Sequence, residues 1–439
     1  MRPVITLMLA LSIMPAGSSL AQQPVTLTFE QALGRALLQN KSVGQARHEI
    51  SVAEANRDYL ISAVLPRIAA TGDLTRNSME QSFGDGQDRF TILPRNDWAY
   101  RVTLSQPLYA GRREFRAYAQ AKLGVENARE GSIAAEDAIL LRVASSYLAI
   151  VNADRRVEVE RRNIDLAERR RTQAQAFLDA GEVTRVDVLR AETAMKAAQR
   201  LLAAAEQQRE HAAAQLRIDL DLDGPIVVTA PDQTLPPLPD EAALIARTSS
   251  RPDVDIAENN VRIADLEVRK QRGFWLPTVT FDGGWIGQKS PFPAANYAYG
   301  ALRFNVPIFQ SGEVLARVAG AKSREKQAEL ALEETRLAAR EDVRRALADL
   351  HSAGIGLQLA NEQLIAAQAE YEQAFELYRA QEATSLDLSA SETSLAEARR
   401  AVAEESLNRD LAELRVWYAA GAMKEAVVTR LNGNGVTER

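Results

Sequence analysis

The stretch Val183-Thr184-Arg185-Val186-Asp187-Val188-Leu189-Arg190-Ala191-Glu192-Thr193 decides how this chain is organised. Two hundred positions on, residues 383–393 read Ala-Thr-Ser-Leu-Asp-Leu-Ser-Ala-Ser-Glu-Thr, with the threonine, the aspartate and the closing Glu-Thr at the same spacing. Working outward, 157–203 aligns with 357–403 without a gap, through Ala167/Ala367, Gln173/Gln373, Glu192/Glu392 and Arg200/Arg400. Shared Ala/Glu-rich composition would not also align the marks outside the helices. Leu65-Pro66 matches Leu276-Pro277, and Pro107-Leu108-Tyr109-Ala110-Gly111 matches Pro307-Ile308-Phe309-Gln310-Ser311-Gly312 with one residue inserted. An internal repeat of this kind is the first thing to establish about a fold.

The repeat divides the chain. Residues 22–223 and 241–421 are the two copies, each reading helix, two strands, long helical hairpin. Residues 224–240 hold Pro225, Pro231, Pro236, Pro237 and Pro239 and form the linker. A short strand at Ile226-Val227-Val228 fits inside it. The polar tail 422–439 is expected to be disordered. At the other end, Arg2, an apolar run from Val4 to Met14 and Ser19-Leu20-Ala21 read as a secretory signal peptide over 1–21.

The 439 residues are 46% hydrophobic and only 6% aromatic, a balance that favours long helices. Net charge is −6, so no basic excess supports a nucleic-acid partner. With no cysteine, disulfides, thiolate metal sites and a lipid-bearing N-terminal cysteine are excluded. His48, His211 and His351 are far apart and suggest no metal site. Gly84-Asp85-Gly86-Gln87-Asp88 reads as an exposed loop, and no catalytic or cofactor motif is present. An enzyme is not expected.

The helical segments are rods. No proline interrupts about 113–178 or 313–378, and each would extend roughly 100 Å at ~1.5 Å per residue. In the second, Val343, Leu347, Leu350, Gly354, Leu357, Asn361, Leu364, Gln368, Tyr371, Phe375 and Tyr378 keep steps of three and four. That spacing predicts a left-handed supercoil, with Asn361 and Gln368 in the seam.

The strand segments alternate. Trp98, Tyr100, Val102 and Leu104 share a face, as do Val279, Phe281, Gly283 and Trp285, and Ala298, Gly300, Leu302, Phe304 and Val306; Ile68–Leu74 is weaker. Lipid-facing barrel strands and a half-exposed soluble sheet both give this alternation. Number adds a constraint. Four strands cannot close a barrel, and an open edge is not tolerated in lipid. Membrane insertion would need several copies; three would supply twelve strands.

The export segment, the duplicated strand–strand–hairpin order, Gln106-Pro107-Leu108-Tyr109-Ala110-Gly111 and the Gly181…Thr184-x-x-Asp187-Val188-Leu189 phrase together resemble the TolC-type outer membrane efflux proteins over nearly all of 25–421. The resemblance implies a mixed α and β fold: a trimeric 12-stranded outer-membrane β-barrel continued by a periplasmic α-helical barrel. It implies a homotrimer that works with a periplasmic adaptor and an inner-membrane transporter in drug efflux or type I secretion. The other reading is a soluble periplasmic coiled-coil scaffold, separated from the first by whether Trp98, Tyr100, Phe281, Trp285 and Phe304 face lipid.

Each repeated phrase fits a capping box, with Thr184 or Thr384 at the N-cap and Asp187 or Asp387 reaching back. Gly181 suits the end of the preceding helix. Gln381 stands in its place in the second copy, so that turn is expected to differ. By resemblance, Asp187 and Tyr378 form a latch of the periplasmic gate, and Asp387 lines a constriction. The family's arginine, its hydroxyl partner and its second acid fall at Ala383, Val186 and Ala390, which suggests a weaker gate.

Overall fold

The computed structural model describes residues 25–84, 86, 90–231, 236–290 and 294–433. The signal-peptide reading over 1–21 and most of the Gly84–Asp88 loop lie outside the described residues. In chain order the first half comprises β1 (Val25–Leu27), α1 (Phe29–Gln39), α2 (Lys41–Ile61), β2 (Arg67–Arg76), β3 (Gln81–Phe83), β4 (Phe90–Leu93), β5 (Asn96–Ala110), α3 (Arg113–Asp179) and α4 (Arg185–Leu220). Then come β6 (Ile226–Val228), α5 (Glu241–Arg247), α6 (Pro252–Arg272), β7 (Thr278–Gln288), β8 (Asn296–Asn305), α7 (Glu313–Arg379), α8 (Ser385–Ala419) and α9 (Met423–Gly433).

α3 and α7 each run 67 residues, roughly 100 Å. Each is flanked by two shorter helices stacked end on. Near the strands, α2 packs on α3, and α6 packs between α3 and α7; farther away α4 packs on α3, and α8 on both α7 and α3. The lower layer therefore runs α4–α3–α8–α7, with α4 and α7 at its edges.

The apolar core lies partway along the rods, where the shorter helices meet. Phe29, Leu33, Leu140, Tyr147, Leu216, Leu244 and Leu414 are buried there. Tyr147 hydroxyl lies 2.9 Å from Leu27 O and 2.7 Å from Thr229 O, and its oxygen accepts from Thr229 N–H at 3.1 Å. The strap formed by β1 and β6, paired in parallel, is thus anchored to α3.

The tail expected to be disordered from 422 is helical over Met423–Gly433. Gly421 turns the chain at φ +66°, and Met423, Ala426 and Val427 drop into the core. Asp137 caps the new helix by accepting from Lys424 N–H at 2.8 Å. Apolar residues spaced three and four apart outweighed the polar look of the segment.

The seam of α7 follows the heptad reading in part, with Val343 and Tyr378 buried and Leu347, Leu350, Leu364 and Tyr371 packed partly buried, but small residues supply most of its fully buried positions. Its buried positions are alanine-rich: Ala339, Val343, Ala346, Ala360, Ala367 and Tyr378. Asn361 is exposed and donates to its own helix at Leu357 O, so within one chain it sets no register.

The sheet orders β2-β5-β7-β8, antiparallel throughout. β3 and β4 form a separate hairpin between β2 and β5, where the sequence suggested only a loop. β2 and β8 are the sheet's edges.

Candidate functional site

Two assemblies of side chains stand at opposite ends of the molecule: the hairpin tips, and the exposed face of the sheet.

At the first tip, α3 ends with Gly181 at φ +76°. Its N–H donates to Leu178 O at 2.9 Å, and Glu182 N–H reaches Phe177 O at 2.9 Å. This double closure of the last turn requires a left-handed residue, which glycine adopts freely. The second tip closes with the same two bonds, Gln381 N–H to Tyr378 O at 3.1 Å and Glu382 N–H to Leu377 O at 2.8 Å, and adds a third from Ala383 N–H to Leu377 O at 3.3 Å. Gln381 takes φ +62°, so the left-handed closure is kept without glycine, and the expected difference is confined to that extra bond. A non-glycine residue in this region costs roughly 1–2 kcal/mol. Its side chain meets a partner here, donating to Glu182 Oε2 of the other tip at 3.0 Å.

Both capping boxes form. Asp187 Oδ2 accepts from Thr184 N–H at 3.1 Å, and Asp387 Oδ2 accepts from Thr384 N–H at 3.0 Å. The two aspartates then diverge. Asp387 is exposed and held below the usual carboxylate range by its bonds to Thr384. Asp187 is half-buried and uses its other oxygen across the tips, accepting from Ser385 Oγ at 2.5 Å. The Ser385 and Thr184 bonds hold its carboxyl low.

The aspartate–tyrosine latch does not form within the chain. The structure shows no hydrogen bond between Asp187 and Tyr378. Tyr378 instead packs its ring on Phe177, centroids 5.9 Å apart. The hydroxyl of Ser385 stands nearer the carboxylate because it begins α8, the helix facing Asp187.

Ser385 is a node that sequence reasoning missed. Its carbonyl accepts from Arg170 Nη2 at 2.7 Å, and Arg170 Nη1 donates to Glu392 Oε2 at 2.5 Å. Higher up, Arg400 donates to Glu160 at 2.7 and 3.2 Å. These links join α3 to α8, the one helix–helix junction between the halves in the lower layer. Glu392 and Arg400 were visible as repeat identities. Their partners were not, because Arg170 and Glu160 correspond to Glu370 and Ala360 in the other copy.

The depressed carboxyl pKa values give the tips a pH dependence. Each cap contributes stability above the unfolded carboxylate pKa, and that contribution is lost as pH falls through the lower folded value. Amide protection over 182–187 and 382–387, taken relative to the intrinsic exchange rate at each pH, is expected to fall below about pH 4. Asp187→Asn should abolish the acid step in the first tip alone; protection that does not change with acid would contradict a role for the caps.

On the sheet, Trp98 stacks on Tyr100 at 5.6 Å, and Tyr100 meets Trp285 at 5.1 Å. Phe281 lies opposite Leu302 on the same face, and Phe304 is 68% exposed near the helices. Tyr100 pairs with Gly287 and Phe304 with Val279. The aromatic rows are therefore separated by the Val279–Gly287 stretch, roughly 26 Å along the strand at ~3.3 Å per residue, or about 20 Å of height at the ~40° tilt of a barrel strand. An outward apolar band about 25 Å tall between aromatic girdles is the mark of an outer-membrane barrel. Among the described residues, no helix is long and apolar enough to cross a membrane, and no group of three or more His, Cys, Asp or Glu is placed to hold a metal.

A banded antiparallel sheet carried on helical hairpins with capped tips is the protomer architecture of an outer-membrane channel with a periplasmic helical extension. The chain belongs to the outer membrane efflux protein family, whose model matches residues 32–218 and 247–422. It is 23% identical to the outer membrane efflux protein BepC of Brucella suis biovar 1 (strain 1330), over 87% of this chain and 82% of BepC. It is 24% identical to protein CyaE of Bordetella pertussis, over 74% of this chain and 70% of CyaE. The crystal structure of CusC superposes with a TM-score of 0.80 at 18% identity, covering 89% of this chain and 91% of CusC. The protein is thus an outer-membrane channel of the efflux and secretion class, with its helices in the periplasm, and is not an enzyme. The soluble-scaffold reading is set aside.

Proposed function

We propose that the chain acts as a homotrimer that carries substrate outward across the outer membrane. The observation that carries this is the pair of free edges at every level. β2 and β8 bound the sheet, and α4 and α7 bound the lower helical layer. Unpaired strand edges are not tolerated in lipid, so the sheet must close on further copies. Three copies give twelve strands, an even number as barrels of this kind require. Trp98, Tyr100, Phe281, Trp285 and Phe304 then face lipid, and the six tips ring the periplasmic mouth.

In this reading the mouth is held shut by the bonds between tips. Asp187 remains a gate residue, with Ser385 as its partner and Tyr378 as packing. Gly181, Thr184 and Thr384 shape the tips. Asp387 forms the constriction ring, where three exposed carboxylates near an axis favour cations. Substrate, a drug or a secreted protein, arrives from an inner-membrane transporter through a periplasmic adaptor docked at the tips. No cofactor and no nucleic acid take part.

The test has two arms. Light scattering in detergent should give three times the chain mass. In planar bilayers, Asp187→Ala and Ser385→Ala should each raise conductance, and Asp387→Asn should lower cation preference. A monomer, or conductance unchanged in both tip variants, would overturn the proposal.

A further inference from the structure

The two halves meet inside one chain, and that internal junction predicts the one between chains. Within the chain, β5 of the first half pairs with β7 of the second: Leu104 lies opposite Gly283, Thr103 opposite Gly284 and Val102 opposite Trp285. The repeat maps β5 onto β8 through Pro107-Leu108-Tyr109 and Pro307-Ile308-Phe309, and β2 onto β7 through Leu65-Pro66 and Leu276-Pro277. Applied to the internal pairs, this mapping places Phe304 opposite Gly72, Arg303 opposite Asp73 and Leu302 opposite Leu74.

We propose that β8 of one copy pairs with β2 of the next in this register, which rests on the multimeric reading above. Three observations independent of the mapping agree with it. The first is direction: β2 and β8 point opposite ways along the sheet, so their pairing is antiparallel like every other in it.

The second is face. Leu74 is 91% and Leu302 56% exposed in the single chain, and both lie on the aromatic face. A slip of one residue would set Leu302 against Asp73 or Thr75 and put the apolar set of one strand beside the polar set of the other.

The third is charge. Arg303 and Asp73 occupy the opposite face, with side chains 72% and 56% exposed. Each already has a partner on its inner side: Arg303 bonds Asp282 at 3.1 Å, and Asp73 lies 3.6 Å from Arg101. The proposed register joins these pairs into one row, Asp282–Arg303–Asp73–Arg101, that crosses from copy to copy with alternating sign. Opposite charges directly across strands stabilise a sheet, and like charges destabilise it.

The chain contains no cysteine, so a disulfide can report the register directly. In the full chain, Leu302→Cys with Leu74→Cys should yield, after oxidation, covalent dimers and trimers on non-reducing gels that revert with reductant. Directly opposed positions bring Cβ atoms to about 5 Å, near the ~4.5 Å limit for a disulfide, whereas diagonal neighbours lie at about 7–8 Å. Leu302→Cys with Gly72→Cys or with Arg76→Cys should therefore cross-link about tenfold less than the opposed pair. A displaced pair that cross-links better overturns the register while light scattering still shows a trimer. A chain that is monomeric in detergent overturns the multimeric reading itself. A second measurement avoids cysteine: Arg303→Asp should lower the dissociation temperature of the assembly, and adding Asp73→Arg should restore it. Absence of rescue would also count against the register.

Discussion

Arg170→Ala is expected to destabilise the helical assembly by about 3–5 kcal/mol and to raise resting conductance, the largest effect of any single change at the tips. Arg170 has a side chain 6% exposed, and Glu392 one 14% exposed. Burial pushes the Glu392 carboxyl upward against the pull of the guanidinium. Without Arg170, a carboxyl group is left in a poorly solvated seam with no counter-charge. The same substitution frees the Ser385 carbonyl, loosening the start of α8 and with it the hydroxyl that holds Asp187.

The physics also predicts a rescue. Replacing a buried ion pair by apolar groups of similar volume is often neutral. Arg170→Met with Glu392→Leu should therefore regain most of the stability measured by chemical denaturation. It should not regain low conductance in full, because Ser385 O still lacks its donor. A loss below about 1 kcal/mol for Arg170→Ala would place the pair among exposed bridges of little weight. The Arg170–Glu392 and Arg400–Glu160 pairs have no counterpart at the matching positions of α7, where the repeat puts Glu370 and Ala360 in place of Arg170 and Glu160.

Gly111→Ala should cost about 2–4 kcal/mol and lower the yield of folded oligomer, by a different mechanism. Gly111 stands where β5 hands over to α3, at φ +66°, and an added Cβ would sit 2.3 Å from Gly273 O. Gly273 lies at the opposite kind of corner, the handover from α6 to β7 in the second half, and a Cβ there would lie 2.7 Å from Gly111 O. The two glycines let a strand-to-helix corner of the first half and a helix-to-strand corner of the second touch backbone to backbone. Neither oxygen belongs to a flexible side chain, so relief requires moving the sheet relative to the rods. Gly124→Ala is the control. It lies inside α3 with nothing within 4 Å of its added Cβ, and should instead stabilise by up to about 1 kcal/mol. Equal unfolding midpoints for the two variants would show that the corner is not close-packed in solution.

Most of the architecture was legible because it is written in local spacing. The threonine–aspartate phrases announced two capped tips, and both capping boxes exist. Period-2 alternation marked the four strands of the sheet and their aromatic face. In each misreading a bonding or packing partner outweighed the residue's own character, and in two of the three that partner came from elsewhere in the chain. Gln381 was expected to change its turn, yet the helix-end hydrogen bonds imposed the left-handed conformation on it. Asp187 was paired with Tyr378, yet Ser385 lay within reach. The tail after 422 was expected to be disordered, yet the core accepted Met423 and Val427.

By itself, then, the sequence determined the duplication, the lengths of the rods, the position and capping of the tips and which strand face is apolar. These follow from propensity, periodicity and repeat spacing, which act over a few residues at a time. Only the tertiary structure decided which half of each pair touches which: α3 on α8 through Arg170 and Glu160, β5 on β7, Asp187 on Ser385. Such contacts bridge some 200 positions in the chain, and their energy comes from burial and matched charge at distances no local pattern encodes.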